Sequence, residues 1–413
     1  MKHWKKGLCG LLAAVLMAPA GLAAPVNGEK GLSDLEGHWA QKEVEAAVAS
    51  GWVDGYPDGS FKPEKSITRA EFTKMLLDAI HLTPDSETVA WMKAHAKMKD
   101  IWGRPTAYTP KLYDMSGHWL TSQGWLDAAL YSGMVVPDDY NGKNFRPEKA
   151  IARYEIALMT DRALGLVYPA SQPVEGELPF TDKEEILDWM KGYVNESVKA
   201  GVLKGYPDGS FQPNKTSTRA EAVVMIQRML EEMEEGIDAL DSATTIRVQY
   251  RESIPYTHEI SDTILQERET DQIQLQVIDN IVYASLNDLD DVQIEMMQEN
   301  GNTQWEIIGF EWWPIEQKFY VEPMDGFYWE FQYQAGDTTY YWGKWSVHPS
   351  YFCEPVRFLY GELMVPICDF SHPKEEPQEG WQAAWDAETQ TLTVPMFYYN
   401  GWNPLTFSKF RTI

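Results

Sequence analysis

Three arginines stand at the same place in three look-alike segments of a 413-residue chain. Arg69 lies in Ile67-Thr68-Arg69-Ala70-Glu71, Arg153 in Ile151-Ala152-Arg153-Tyr154-Glu155, and Arg219 in Ser217-Thr218-Arg219-Ala220-Glu221. Thr68 and Thr218 read as helix N-caps, and the glutamate three residues on completes a capping box. Each arginine therefore falls at the first helical position, where its charge opposes the helix dipole. Such a placement makes sense if an anion completes the site, because guanidinium and first-turn N–H groups can hold a carboxylate together. The plainer alternative is a salt bridge to an acid of a neighbouring segment, and the residues alone leave both open.

The elements around these arginines repeat as well. Gly51–Glu71 reads GWVDGYPDGSFKPEKSITRAE, and Gly201–Glu221 reads GVLKGYPDGSFQPNKTSTRAE, 150 residues later. Gly133–Glu155, GMVVPDDYNGKNFRPEKAIARYE, is a third copy with two extra residues in its loop. In the first copy Trp39, Val44, Ala47 and Val48 recur near helical spacing up to Gly51, a C-cap candidate. Pro57-Asp58-Gly59 marks a tight turn, and Phe61 follows as an apolar anchor. The second helix buries Phe72, Met75, Leu76, Ala79 and Ile80; its counterpart in the third copy buries Ala222, Met225, Ile226, Met229 and Leu230. Ala152 stands where the middle copy needs a cap, a loss of about 1 kcal/mol. A helix-loop-helix unit of this size buries little on its own, so the three are expected to pack together. The units span 31–82, 112–166 and 180–235, with an insertion at 83–111 that has room for a helix and a proline-containing linker at 167–179.

Bulk composition narrows the partners. The net charge of -27 argues against nucleic acid or an anionic membrane, which call for a concentrated basic surface. Lys2, Lys5 and Lys6, an apolar run from Leu8 to Ala18 and small residues up to Ala24 form a secretory signal over 1–24, and its removal would leave the chain more acidic still. No membrane span is expected beyond it. Cys353 and Cys368 would be the two cysteines of the exported chain, and a disulfide between them is the favoured reading.

Together these pieces resemble S-layer homology domains, which occur as triplets in proteins of bacterial cell envelopes. The resemblance is carried by Ser33-Asp34 with His38-Trp39, Asp114 with His118-Trp119, Phe180-Thr181-Asp182, the GYPDGSF loops and the TRAE, ARYE and TRAE segments, over about half of the chain. It implies an all-α, three-unit spindle around a central helical bundle, in a secreted protein of the cell wall or S-layer. It also implies grooves between units that bind secondary cell-wall polysaccharide, often carrying a pyruvate ketal. By motif match the groove arginines are Arg69, Arg153 and Arg219; Trp39, Trp119, Gly59, Gly142 and Gly209 resemble further lining groups. The third copy lacks the His-Trp pair and has Trp189 at the place of Trp39. The middle copy has Tyr154 in place of alanine and lacks the PDG turn, so the three grooves are not expected to be equal.

Beyond the acidic run Glu231–Glu235 the pattern changes. Ile273–Ile278, Val292–Met296, Trp305–Phe310, Tyr328–Tyr333 and Thr339–Trp345 read as strands of an antiparallel β-rich domain over 245–413. Nine of the seventeen tryptophans fall there, either filling a β core or forming a surface for an unidentified glycan or protein. Residues 355–396, with Val365-Pro366 and Trp385-Asp386, resemble the small N-terminal stalk domain of copper amine oxidases, which implies no copper chemistry. His258, His348 and His372 are isolated and no catalytic motif appears. Asp58 and Asp208 read as turn residues, not calcium ligands. No catalysis, metal or cofactor is therefore expected; the alternative is a wall or polysaccharide hydrolase on the same anchor.

Overall fold

The computed structural model describes residues 32–99, 105–165, 178–235, 237–238, 245–253, 260–278, 281–299, 309–315, 318–322, 330–335, 338–343, 351–353, 357–369, 384–386, 389 and 391–398. The signal, most of the linker and the three histidines named above lie outside them. In the first unit α1 (Gln41–Ala49) leads through the turn loop to α2 (Arg69–Ala79). The insertion supplies α3 (Glu87–His95) and a hairpin of β1 (Lys97–Lys99) and β2 (Pro105–Ala107). The second unit comprises α4 (Trp119–Ser122), α5 (Trp125–Tyr131) and α6 (Arg153–Ala163), and the third α7 (Asp188–Lys199) and α8 (Arg219–Glu234).

The caps form as expected: Thr68 and Thr218 accept from Glu71 N and Glu221 N at 3.1 and 3.2 Å. Ala152 has no acceptor, and the Glu155 amide donates to the Ala152 carbonyl instead, at 3.0 Å. Just before the three helices the chain closes a ring. Ile67 N donates to Ser217 O, Ser217 N to Ile151 O and Ile151 N to Ile67 O, at 3.0–3.1 Å. Short bridges Thr68 to Ala150, Ala152 to Thr216 and Ser66 to Thr218 flank it. The expectation of an all-helical first half is therefore amended: β pairing joins the units, because the extended residue before each cap has backbone groups to satisfy.

Trp39 also departs from its expected place in the helix stripe. The helix starts two residues later, at Gln41, and Trp39 is 59% exposed while Val44 and Ala47 are fully buried.

After α8, β3 (Ile237–Asp238) enters a five-stranded sheet of order β13-β14-β7-β6-β3. Its other members are β6 (Leu275–Ile278), β7 (Ile281–Ser285), β13 (Arg357–Leu359) and β14 (Glu362–Asp369). A four-stranded sheet orders β15 (Ala384–Asp386), β16 (Thr391–Tyr398), β4 (Thr245–Ser253) and β5 (Ile260–Thr270). A three-stranded sheet holds β8 (Gly309–Trp313), β9 (Lys318–Glu322) and β12 (Tyr351–Cys353), and β10 (Glu330–Ala335) pairs with β11 (Thr338–Gly343). All described pairs are antiparallel except β16 with β4, which is parallel. Val292–Met296, read as a strand, lies inside α9 (Leu286–Glu299). Leu286, Leu289, Val292 and Met296 make one buried helical stripe, a period that a five-residue window misses.

Trp312 and Trp313 are buried, which favours core filling for those two. Cys353 and Cys368 lie on β12 and β14, and their side chains are outside the described residues, as is the stretch 370–383 where the stalk-like reading expects a helix.

Candidate functional site

Each arginine reaches across to the loop of the next unit. Arg219 Nε donates to the Phe61 carbonyl at 3.0 Å and Nη2 to that of Asp54 at 3.1 Å. Arg153 does the same on Phe211 and Lys204, both at 2.9 Å. Arg69 Nη1 donates to Phe145 O at 2.6 Å. The circuit runs from unit 1 to unit 2 to unit 3 and back to unit 1. All three side chains are buried, at 6–7% exposure.

Below each guanidinium lies an aromatic floor. Arg219 stacks over Tyr56 and Phe61 at 4.9 and 4.7 Å, Arg153 over Tyr206 and Phe211 at 4.7 and 5.0 Å, and Arg69 over Tyr140 at 5.1 Å. A second cation joins two of the sites: Lys65 Nζ donates to the Tyr56 hydroxyl at 3.0 Å, and Lys215 Nζ to that of Tyr206 at 2.9 Å. Among the described residues no carboxylate stands within ion-pair distance of Arg153 or Arg219. Burial holds Arg153 below the ordinary arginine value, with Tyr206 and Glu221 working against that shift.

The Arg69 site differs. Glu155, only 3% exposed, forms an ion pair with Arg69 Nη2, and its other oxygen accepts from Ala152 N at 3.0 Å. Tyr140 is buried here, whereas Tyr56 and Tyr206 are half-buried. Burial, then the Asp139 and Glu155 charges, raise the Tyr140 phenol above its ordinary value. Tyr154 adds its ring, 6.5 Å from Trp189 and edge-on; burial and Glu155 raise its phenol while the Arg69 charge opposes them. The two extra loop residues explain the change. The longer loop forms a 3-10 turn at Pro137–Asp139 where the other units present the second carbonyl, and Asp139 is instead paired with Arg162 at 2.7 Å.

The backbone corrects one expectation. Arg69, Arg153 and Arg219 N donate to Lys149, Lys215 and Lys65 O at 2.9–3.0 Å, and the following residues' amides donate to Pro147, Pro213 and Pro63 O at 3.0–3.1 Å. With Glu71 N and Glu221 N bonded to their caps and Glu155 N to the Ala152 carbonyl, these first-turn N–H groups are already spent, two of each helix's on joining units. The guanidinium groups of Arg153 and Arg219 and the ammonium of Lys215 remain to meet an anion, while Lys65 is also paired with Glu71 at 3.4 Å.

Residues the motif reading left without a role position the loops. The carboxylate of Asp34 accepts from Phe61 N and Lys62 N, both at 2.7 Å. Asp114 does so for Phe145 and Arg146 at 2.8 and 2.6 Å, and Asp182 for Phe211 and Gln212 at 2.7 Å. These forks hold Lys62, Arg146 and Gln212 at positive φ of 56, 50 and 55°, a strained region for such residues. Burial alone would raise the Asp34 acid; the two amides outweigh it and lower it. Gly59, Gly142 and Gly209 sit in the turns at φ of 79, 64 and 80° and line the loops without meeting the arginines' hydrogen-bonding groups. Asp58 accepts from Ser60 N at 3.0 Å and Ser60 Oγ at 2.5 Å, an Asx turn; those bonds hold its acid down at about 2.

The His-Trp pairs acquire a structural account. Ala40 N donates to His38 Nδ1 at 3.2 Å, which leaves Nε2 as the donor to Glu64, 2.9 Å away. His118 repeats this with Leu120 N at 3.1 Å and Glu148 at 2.9 Å. Glu64 and Glu148 latch loop to helix while staying over 70% exposed. In the third unit Asp188 and Asn214 stand at those offsets, so both partners change together. Trp39 projects into solvent 5.5 Å from His38, and Trp119, 5.2 Å from His118, is half-buried. Among the described residues no His, Cys, Asp or Glu cluster could hold a metal, and no helix is long and apolar enough to cross a membrane.

Residues 31–73 and 179–223 match the S-layer homology domain family; these are the first and third copies. The chain is similar to an amylopullulanase of Thermoanaerobacterium thermosulfurigenes, 28% identical over 204 residues, 49% of this chain and 10% of that protein. It is similar to the S-layer protein EA1 of Bacillus anthracis, 30% identical over 226 residues, 54% of this chain and 22% of the relative. A cellulosome-anchoring protein of Acetivibrio thermocellus is 30% identical over 189 residues, 44% of this chain and 35% of that protein. The chain thus spans at most about a third of the length of these relatives. Its first half carries S-layer homology domain sequence, and the protein is a secreted one of the bacterial cell wall and S-layer.

Proposed function

We propose that three S-layer homology units hold this protein non-covalently on secondary cell-wall polysaccharide, and that two of the three grooves do the binding. The observation that carries this is the pair of cation clusters, Arg219 with Lys65 around Tyr56 and Arg153 with Lys215 around Tyr206, in which neither arginine has a carboxylate within ion-pair distance among the described residues, while Lys65 is also paired with Glu71 at 3.4 Å. On a chain of net charge -27 such clusters are local exceptions, and they suit a sugar-borne carboxylate such as a pyruvate ketal. The tyrosine floors offer a face for a sugar ring. Trp39 and Trp119 lie outside this cluster and serve as secondary stacking faces, and Gly59, Gly142 and Gly209 keep the loops low. The second half, with the stalk-like segment 355–396, displays a binding or structural surface.

Co-sedimentation of the mature chain with purified sacculi, before and after acid removal of the secondary polysaccharide, tests the reading. Binding is expected only before stripping; equal binding afterwards overturns it. The printed names of the amylopullulanase and of an exoglucanase relative favour a second reading, a hydrolase on the same anchor. Release of reducing sugar from sacculi by the full chain would establish that instead.

A further inference from the structure

The insertion at 83–111 lies where the two halves of the chain meet. Trp312 of β8 is fully buried, its indole N–H donates to the Tyr131 carbonyl at the end of α5 at 2.6 Å, and its backbone bridges to Ala96 next to α3. Phe358 meets its ring edge-on at 6.1 Å. From α9, Asn287 Nδ2 lies 3.0 Å from Thr88 Oγ1 of α3 and 3.0 Å from Glu362 Oε2 of β14. Arg357 Nη1 donates to the Leu164 carbonyl at the end of α6 at 2.7 Å, where a cation suits the helix dipole. At the turn between β13 and β14, Gly361 has φ 82°, and a Cβ there would stand 2.9 Å from the His81 carbonyl. Val89 and Met92 of α3 share one uninterrupted apolar core with Leu286, Leu289, Trp312 and Phe358.

We infer that the insertion is a clasp that makes the two halves one cooperative unit, so that the second half is presented in a single orientation relative to the grooves. Domains joined through small polar interfaces move independently by default. Here five separate contacts, two of them on the insertion (Trp312 to Ala96 and Asn287 to Thr88), and a shared core join the halves, and opening one side exposes apolar surface on the other. The inference rests on this interface and not on wall binding.

The test is native-state hydrogen exchange of the full mature chain, with Arg357→Ala and Asn287→Ala as variants. Neither substitution empties the apolar core. Each is expected to speed exchange about tenfold or more, in residues 83–99 of the clasp and in 357–369 together. Calorimetry of the unsubstituted chain is expected to give one transition. Exchange that rises only in 357–369 while 83–99 keeps its rate, in both variants, overturns the inference, as do two separate transitions in the unsubstituted chain.

Discussion

The Arg69 site and the Arg153 and Arg219 sites are built from the same parts and end in different electrostatic states. In all three an arginine crosses to the next unit's loop and stacks on its tyrosine. Only at Arg69 does a buried glutamate from that unit supply the anion. The middle unit also buries Asp161, Arg162 and the Arg69-facing Glu155, so it has turned charge inward where the others leave it open. One arginine motif thus meets a neighbouring acid at one site, while at the other two, among the described residues, the guanidinium has no carboxylate within ion-pair distance. A motif repeated three times does not guarantee three equal sites, because the loop it reaches decides what the cation meets.

The sharpest break of this comparison is Arg69→Ala, which would leave Glu155 buried without its partner. A buried pair cut in half costs about 3–5 kcal/mol, so chemical denaturation should show a loss of that size with wall affinity per folded molecule nearly unchanged. A small stability loss joined to a large affinity loss would mean that the Arg69 groove binds after all. Next in size, Arg153→Ala and Arg219→Ala should each weaken sacculus binding about tenfold or more, since each removes a charged donor from the proposed carboxylate site. Equal affinity in both variants would remove the two cation clusters from the binding account.

Smaller effects should follow from the loop forks. Asp34 holds the loop on which Arg219 docks, Asp182 the one for Arg153, and Asp114 the one for Arg69. Asp34→Ala and Asp182→Ala should each weaken wall binding about fivefold by freeing the loop, while Asp114→Ala leaves it unchanged. Equal losses in all three would make the grooves equivalent and undo the contrast.

Much of this site was legible in the residues. The Thr68 and Thr218 caps with their glutamates, the Phe61 anchor and the unequal middle unit all follow from local rules of capping and turns. The circular reach of each arginine to the next unit was not legible, since no local rule says which loop a long side chain will meet. Asp34, Asp114 and Asp182 were visible as motif letters but their role was not; their constant place ahead of each loop was the available signal. Tyr56 and Tyr206, five residues before each Phe, carried a similar unused signal. In the second half Val292–Met296 was misread because its helical period shows only when Leu286 and Leu289 are included.

The inward turn of the middle unit can also be weighed by pH. Asp161 sits on α6 against α7, fully buried; it accepts from Ser197 Oγ, and among the described residues its Oδ2 has no hydrogen-bond partner. Burial raises its acid well above the ordinary 3.8, more than the Ser197 bonds lower it. When protonated, Asp161 can donate to Ser197 Oγ, and Ser197 can donate to the Ala157 carbonyl, 3.4 Å away. Below pH 3.8 the group carries its proton in both folded and unfolded chains and costs nothing. As pH rises past that point the unfolded chain ionises while the fold resists, so stability falls until the raised folded value is reached. Asp161→Asn keeps the donor and removes the titration. At pH 7 it should be more stable than the parent by about 1 kcal/mol, a gain that denaturant titration should find shrinking to nothing by about pH 3. A gain that persists at low pH would point to packing, and no gain at pH 7 would mean that Asp161 ionises in place and the middle unit tolerates one more buried charge.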